Sequence, residues 1–298
     1  MPNSASILIS EIETRVPIGS SSRRSDEMGI ATRVSEFAAR KSNLVVIIPI
    51  WNEGEVILKQ LQRMLDASLN IDIVLCDGDS SDGSTNAGVL QSLGVRALLV
   101  TDHPGLGTAL RMGFRYAMDE GYDGVITVDG NGKDGVEAIP QFVTHLSKGF
   151  DFVQGSRFMP GAHHSNTPWE RYLGIRFILS PIMSIASGFR YSDPTNGFKA
   201  LSRRFLLDER LQPLRPVFQQ FNLQFYLNYM APRLGFRVVE IPVSRSYPKG
   251  TPTPTKIVGL GTKTALLRQF LNTIFGRYSV KEQRSTSPRH ARKPEQRG

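Results

Sequence analysis

The sequence predicts an α/β fold with a mostly parallel central sheet and helices on both faces. Two observations carry this: short apolar runs alternate with segments of helical spacing, and three of those runs end in polar, conformationally permissive loops. Leu44 to Pro49 is apolar and β-branched, and Glu55 to Leu65 then places Val56, Leu58, Leu61, Met64 and Leu65 at helical spacing. Ile71 to Cys76 reads as a second strand, followed by a helix ending near Leu93, and Ala97 to Val100 as a third strand. The run P-G-L-G-T-A-L from Pro104 opens a helix over Thr108 to Asp119, and Gly124 to Val128 forms a fourth strand. Right-handed crossovers bring the strands' carboxyl ends to one edge, where open α/β sheets bind ligands.

A chain of 298 residues, 40% of them hydrophobic, suffices for a substantial core. The single cysteine, Cys76, excludes an internal disulfide framework. No charged-then-apolar leader opens the chain and no apolar run approaches about eighteen residues, so a cytoplasmic location is expected, with any membrane contact peripheral and at the inner face. The net charge of +9 is uneven, since Lys281 to Gly298 holds six Lys or Arg against two Glu. Such a tail attracts anionic headgroups or stays solvated, and without interleaved aromatics nucleic-acid binding is not expected. Residues 1–42, with S-S-S-R-R-S at Ser20 to Ser25, read as a mobile extension. The folded domain is expected over 43–258, an amphipathic helix over 259–280 and a basic disordered tail over 281–298.

Three loops on the expected edge carry acids: Pro49 to Glu53, Asp77 to Gly83 and Asp129 to Asp134. The last, D-G-N-G-K-D, is ordinary turn chemistry. Acids at several strand ends nevertheless repel one another unless a cation or hydrogen-bond donors sit among them. Carboxylate and amide oxygens at a strand end can hold a hard cation against a diphosphate.

The order P-I-W-N-E, C-D-G-D-S-S-D-G-S, G-L-G-T-A-L-R-M-G-F, V-D-G-N-G-K-D, G-S-R-F and D-P-T-N-G-F-K resembles glycosyltransferase family 2, nearest its dolichyl- and polyprenyl-phosphate mannosyl- and glucosyltransferases. The resemblance covers about Asn43 to Lys256 and implies a GT-A fold, a nucleoside-diphosphate-sugar donor, Mg²⁺ or Mn²⁺ and inversion at the anomeric carbon. Pro49, Asn52 and Glu53 would then line the nucleoside pocket, Asp77 and Gly78 would bind the base, and Gly105 and Gly107 would shape the turn beneath the nucleotide. Asp129 and Asn131 would hold the metal. The family's second acid is here Asn131, a neutral and weaker ligand, and the next acceptor position is Lys133, which can itself offset diphosphate charge. Arg157 and Arg171 would bind an anionic acceptor, and Asp193 would orient the reacting groups. Arg245, Lys249 and Lys256, in a proline-rich version of the family's closing loop, would face phosphates. The leaving group being a nucleoside diphosphate, the main catalytic demand is charge on the β-phosphate, and a phosphate acceptor is already anionic and needs no strong base.

Tyr172 to Phe189 is apolar but broken by Arg176 and Pro181, which reads as two short helices, buried in the core or bordering a membrane as in the resembling branch. Thr262 to Phe275 carries Leu266, Leu267, Phe270, Leu271 and Ile274 on one face and packs on the body or lies on a bilayer. Neither a G-x-S-x-G elbow nor an H-E-x-x-H pair is present. Two alternatives stay open: transfer to a sugar hydroxyl, and a catalytically silent sugar-nucleotide binder.

Overall fold

The computed structural model describes residues 22–25, 31–247 and 260–280. Strands β1 (Ser22–Ser25), β2 (Ala31–Glu36), β3 (Leu44–Ile50), β4 (Asp72–Asp77), β5 (Ala97–Val100), β6 (Gly124–Thr127) and β7 (Phe152–Ser156) precede a short β8 (His164–Ser165), then β9 (Lys199–Ser202), β10 (Val238–Pro242) and β11 (Arg245–Ser246). Nine of them form one sheet in the order β1-β2-β5-β4-β3-β6-β9-β7-β10. The central β5-β4-β3-β6 block is parallel, as is β7 with β10, while β2 and β9 run against their neighbours. The fold is the expected α/β arrangement, and antiparallel β9 brings the loop before it to the edge where its neighbours' carboxyl ends lie.

Alternation along the buried strands makes two cores. Val45, Ile47, Val74 and Cys76 face helix α3 (Leu106–Asp119) and α8 (Asn222–Arg233). Val46, Ile48, Ile73 and Leu75 share the other face with residues of α1 (Glu55–Asp66), α2 (Ala87–Ser92) and α4 (Ile139–Ser147). A parallel strand buried on both sides must be apolar throughout, which is why Leu44–Ile50 shows no polar alternation.

The N-terminal region departs from expectation. Residues 31–36 are a sheet strand between β1 and β5, not a mobile extension: Arg33 to Glu36 pair with Val100 to Ala97. Glu36 accepts from the Tyr116 hydroxyl at 2.6 Å and lies 3.7 Å from the buried Arg96, so the strand is fastened by a polar network as well as by its ladder.

Tyr172 to Phe189 also differs. Helix α5 (Trp169–Gly174), a π-helical turn (Ile175–Leu179) and α6 (Ser180–Ser187) run on without a break. Pro181 lacks an N–H and its ring clashes with the carbonyl four residues back, and the wider π turn absorbs both defects. The segment is not core. Trp169 is 70% exposed, Phe177 66% and Ile185 85%, with Leu173, Ile178 and Ile182 beside them, while Ile175 and Met183 face inward. After the short α7 (Arg203–Leu206) and α8, helix α9 (Leu260–Ile274) packs on α8 through Phe270 against Phe225 and leaves Leu267 and Leu271 outward. No helix among the described residues is long and apolar enough to cross a membrane.

Candidate active site

Loops after β3, β4 and β6 meet as expected. Asn52, in a left-handed conformation, donates its N–H to Ser80 Oγ at 2.8 Å and accepts from the Ser81 N–H at 2.9 Å, so the first loop is stitched to the second. The Glu53 carbonyl accepts from Val56 N–H at the start of α1, and half-buried Pro49 pairs with Cys76. Asp77 is buried and accepts from the Ser80 hydroxyl and N–H at 2.5 and 2.9 Å. Burial pushes its carboxyl above the usual range, against the pull of those two bonds. Gly78 lies between Trp51 and Pro104, where a Cβ would meet ordinary contacts at 3.5 Å. Gly105 and Gly107 are packed against the chain at 218–220. Side chains there would meet the backbone oxygens of Gln219 at 2.4 Å and of Gln220 and Phe218 at 2.7 Å.

The D-G-N-G turn is clamped from below. Gln60, buried on α1, donates to the Asp129 carbonyl at 3.1 Å and accepts from Gly132 N–H at 2.9 Å. Asp129 Oδ1 faces Gly197, where a Cβ would stand 2.6 Å away. Its Oδ2 accepts from Arg245 Nη2 at 3.0 Å and from Asn131 Nδ2 at 3.4 Å. Arg245 is aligned by a short backbone pairing, Gly135 N–H to Ser244 and Ser246 N–H to Lys133, and its Nη1 meets both oxygens of the fully buried Asp134 at 2.7 and 2.6 Å.

Arg157, at the carboxyl end of β7, is buried and makes a two-armed pair with Asp193, Nε to Oδ2 at 2.6 Å and Nη2 to Oδ1 at 2.8 Å. Thr195 completes it, donating to Asp193 and accepting from Arg157, both at 3.0 Å. Asp193 is thereby corrected from an orienter of reacting groups to a positioning residue: it is fully buried and its oxygens are spent on Arg157, which holds its carboxyl below the usual range despite burial. The hydroxyl of Tyr247 accepts from Arg157 Nη1 at 3.3 Å and from Arg171 Nη1 at 3.2 Å. Lys133 Nζ lies 5.5 Å from the same ring's centroid and the Arg245 guanidinium 5.8 Å. Four cations therefore surround one phenol, and Arg157, Arg245 and Arg171 draw its proton affinity down against burial. Lys249 and Lys256 lie outside the described residues.

Asp129 and Asn131 do not form the expected metal pair. The Asn131 oxygen is turned to the Lys133 N–H at 3.3 Å, leaving an amide N–H toward the carboxylate. Among the described residues no three His, Cys, Asp or Glu are grouped to hold a metal. Sequence reasoning missed Gln60, Asp134 and Tyr247. Gln60 had a signal: it is a polar residue at a core position between Ile57 and Met64 of an amphipathic helix. Tyr247 had none beyond standing two residues after Arg245.

A mostly parallel α/β sheet with Asp77 and Asp129 at strand carboxyl ends, and with Arg245 paired to Asp129, fits the GT-A fold of glycosyltransferases. Glucosyl-3-phosphoglycerate synthase of Mycobacterium tuberculosis, solved with Mn²⁺, UDP and glucosyl-3-phosphoglycerate, superposes with a TM-score of 0.56 over 80% of this chain and 81% of its own, at 16% identity. The chain belongs to glycosyltransferase family 2, whose model matches residues 45–209, and it is a glycosyltransferase. The undecaprenyl-phosphate mannosyltransferase of Micrococcus luteus is 29% identical over 204 residues, 67% of this chain and 82% of the relative. The polyprenol monophosphomannose synthase of Mycolicibacterium smegmatis is 28% identical over 208 residues, 67% and 76% respectively.

Proposed function

We propose that the chain transfers a hexose, with inversion, from a GDP- or UDP-sugar to a polyprenyl or dolichyl phosphate held at a membrane surface. The observation that carries this is the cation cluster around Tyr247, which adjoins both Asp129 and the outward apolar helix. Arg171 belongs to that cluster and to α5, whose neighbours Trp169 and Leu173 are exposed. A phosphate entering there replaces the phenol oxygen as the acceptor of two guanidinium donors, and arginine's planar fork suits it. A lipid tail leaving the same place runs along Leu173, Phe177 and Ile178. The relatives named above are an undecaprenyl-phosphate mannosyltransferase and a polyprenol monophosphomannose synthase, which supports a prenyl phosphate acceptor.

In this reading Asn52, Glu53, Asp77 and Gly78 take the nucleoside, with Trp51 at the pocket's rim. Arg245 and Lys133 lie on the diphosphate, and Asp129 fixes their direction. The acceptor phosphate is its own nucleophile, so Arg157 and Arg171 need only orient it, and Asp193 keeps Arg157 in place. The solved neighbour carries Mn²⁺, but the donor set at Asp129 and Asn131, a carboxylate facing an amide N–H, does not suit a divalent ion.

The test is a panel of GDP- and UDP-sugars with polyprenyl phosphate, a soluble phosphate acceptor or a free sugar, following nucleotide release. Release that depends on the prenyl phosphate is expected. Release driven equally by a free sugar would move the assignment to hydroxyl transfer, and binding without release from any donor would make the chain a silent binder.

A further inference from the structure

We infer that two side-chain cations, Lys133 and Arg245, take the charge-neutralising place of a divalent metal in this chain, so that it binds a nucleoside diphosphate and transfers sugar without a bound metal ion. This rests on the donor reading above.

Three features of the loop after β6 lead there. The two residues at the metal-binding positions present one carboxylate and one amide turned with its nitrogen inward, and an N–H directed at the carboxylate opposes a cation. The loop's second carboxylate, Asp134, is fully buried with both oxygens on Arg245 Nη1, so it cannot supply the missing ligand. A guanidinium already occupies Asp129: a dication bonded to Oδ2 at about 2.0–2.1 Å would lie no more than about 5 Å from Arg245 Nη2, itself 3.0 Å from that oxygen.

Charge bookkeeping agrees. Lys133, Arg157, Arg171 and Arg245 are gathered around Tyr247 against Asp129, Asp134 and Asp193. Among these described residues the four cations exceed the three carboxylates by one. Lys133 is buried, stabilised by Asp129 and opposed by Arg245 and Arg171. An anionic diphosphate relieves that opposition, whereas a metal ion deepens it. Fixed cations in a partly desolvated site also act without reorganising, which is what stabilises charge on a leaving diphosphate.

Titration calorimetry of the full chain with UDP and with GDP, in chelator and in Mn²⁺, tests this together with electron paramagnetic resonance of free Mn²⁺. One of the two nucleotides is expected to bind with affinities within about threefold in the two conditions, a difference below about 1 kcal/mol. Protein plus nucleotide should quench no more Mn²⁺ signal than nucleotide alone. The double substitution Asn131→Asp with Lys133→Gln restores a second carboxylate and removes the ammonium. It should lose about tenfold or more in chelator, as expected for one charge-assisted contact, and regain it with Mn²⁺. Nucleotide binding by the native chain only in Mn²⁺, or a protein-dependent Mn²⁺ quench, overturns the inference and leaves the donor reading standing. Failure to bind either nucleotide in both conditions overturns both. The native-chain arms decide the matter even if the double variant does not fold.

Discussion

Arg157 and Asp193 show how a buried ion pair sets a functional side chain. Both are dehydrated, so the pair is held by geometry, two parallel N–H···O bonds with Thr195 filling in, and by the cost of leaving either charge alone. Asp193→Ala is expected to lower unfolding free energy by about 3–5 kcal/mol, read by urea titration. Arg157→Lys keeps the charge but loses the fork; it should move the unfolding midpoint less and raise KM for the phosphate acceptor more than it lowers kcat. A stable Asp193→Ala protein would show that the pair is not what holds Arg157. Lys199 makes the opposite case. It is buried on β9, donates to Gln154 Oε1 at 2.5 Å and the Asn196 carbonyl at 2.6 Å, and burial pulls its ammonium from 10.5 down to about 7 although Asp193, Asp129 and Glu240 pull it up. Between about 7 and 10.5 the unfolded chain holds a proton that the folded chain does not, so this group makes stability rise with pH across that window, by at most about 1.4 kcal/mol per pH unit. Below about 7 both states are protonated and the contribution is flat. Urea titrations at several pH values should show the rise in the native chain and not in Lys199→Met; parallel curves would mean the three carboxylates keep Lys199 charged. At this scale the sequence placed Asp77 and Asp129 at the carboxyl ends of their strands, and the strands do end there. It could not reveal which atoms face a ligand, because whether Asp193 looks outward or into a guanidinium depends on Arg157, a residue 36 positions away.

Elements were legible where burial is two-sided and obscure where it is not. The strands at Leu44, Asp72, Ala97 and Gly124 have no polar face to confuse the reading. Strand β2, A-T-R-V-S-E, lies between β1 and β5 near one side of the sheet, and its charged and hydroxyl residues look like a solvated leader. Its hold on the sheet comes from partners distant in sequence: Val34 packs on the core and pairs with Leu99, and Glu36 meets Tyr116. Val34→Asp places a carboxylate against that core, and unfolding free energy should fall by about 1–3 kcal/mol. An unchanged urea midpoint would return β2 to the status of a loose extension. Helix α5 to α6 misled in another way. Pro181 suggested a break, but a π turn spreads the missing hydrogen bond over one wider loop and keeps the apolar face continuous.

The whole molecule places a charged cluster and an exposed apolar ridge side by side, as the proposed amphiphilic acceptor requires. Lys263 at the start of α9 lies 3.6 Å from Glu170 on α5, so α9, with Leu267, Leu271 and Phe275 exposed, adjoins the ridge of Trp169, Phe177 and Ile185. A water-soluble acceptor gives no reason for so many large apolar side chains in solvent, since contiguous apolar patches mark interaction sites. The proposed function gives one in a bilayer: on that reading the ridge enters the headgroup region while Arg171 and Arg176 on the same helical segment stay with the phosphates. The proposed orientation separates docking from chemistry, and that separation can be measured. Ile182→Ser with Ile185→Ser changes two outward side chains, 36% and 85% exposed, outside both the cation cluster and the proposed path of the lipid tail. Sedimentation with anionic vesicles should fall by about tenfold or more, on the scale of about 1.5 kcal/mol or more lost per apolar side chain withdrawn from the membrane. Turnover should fall in parallel on long-chain prenyl phosphate embedded in vesicles and stay within about twofold on a short prenyl phosphate in solution, less than about 0.5 kcal/mol. Equal losses on both acceptors would mean that these side chains serve the fold or the site itself. Unchanged vesicle binding would place the membrane on another face.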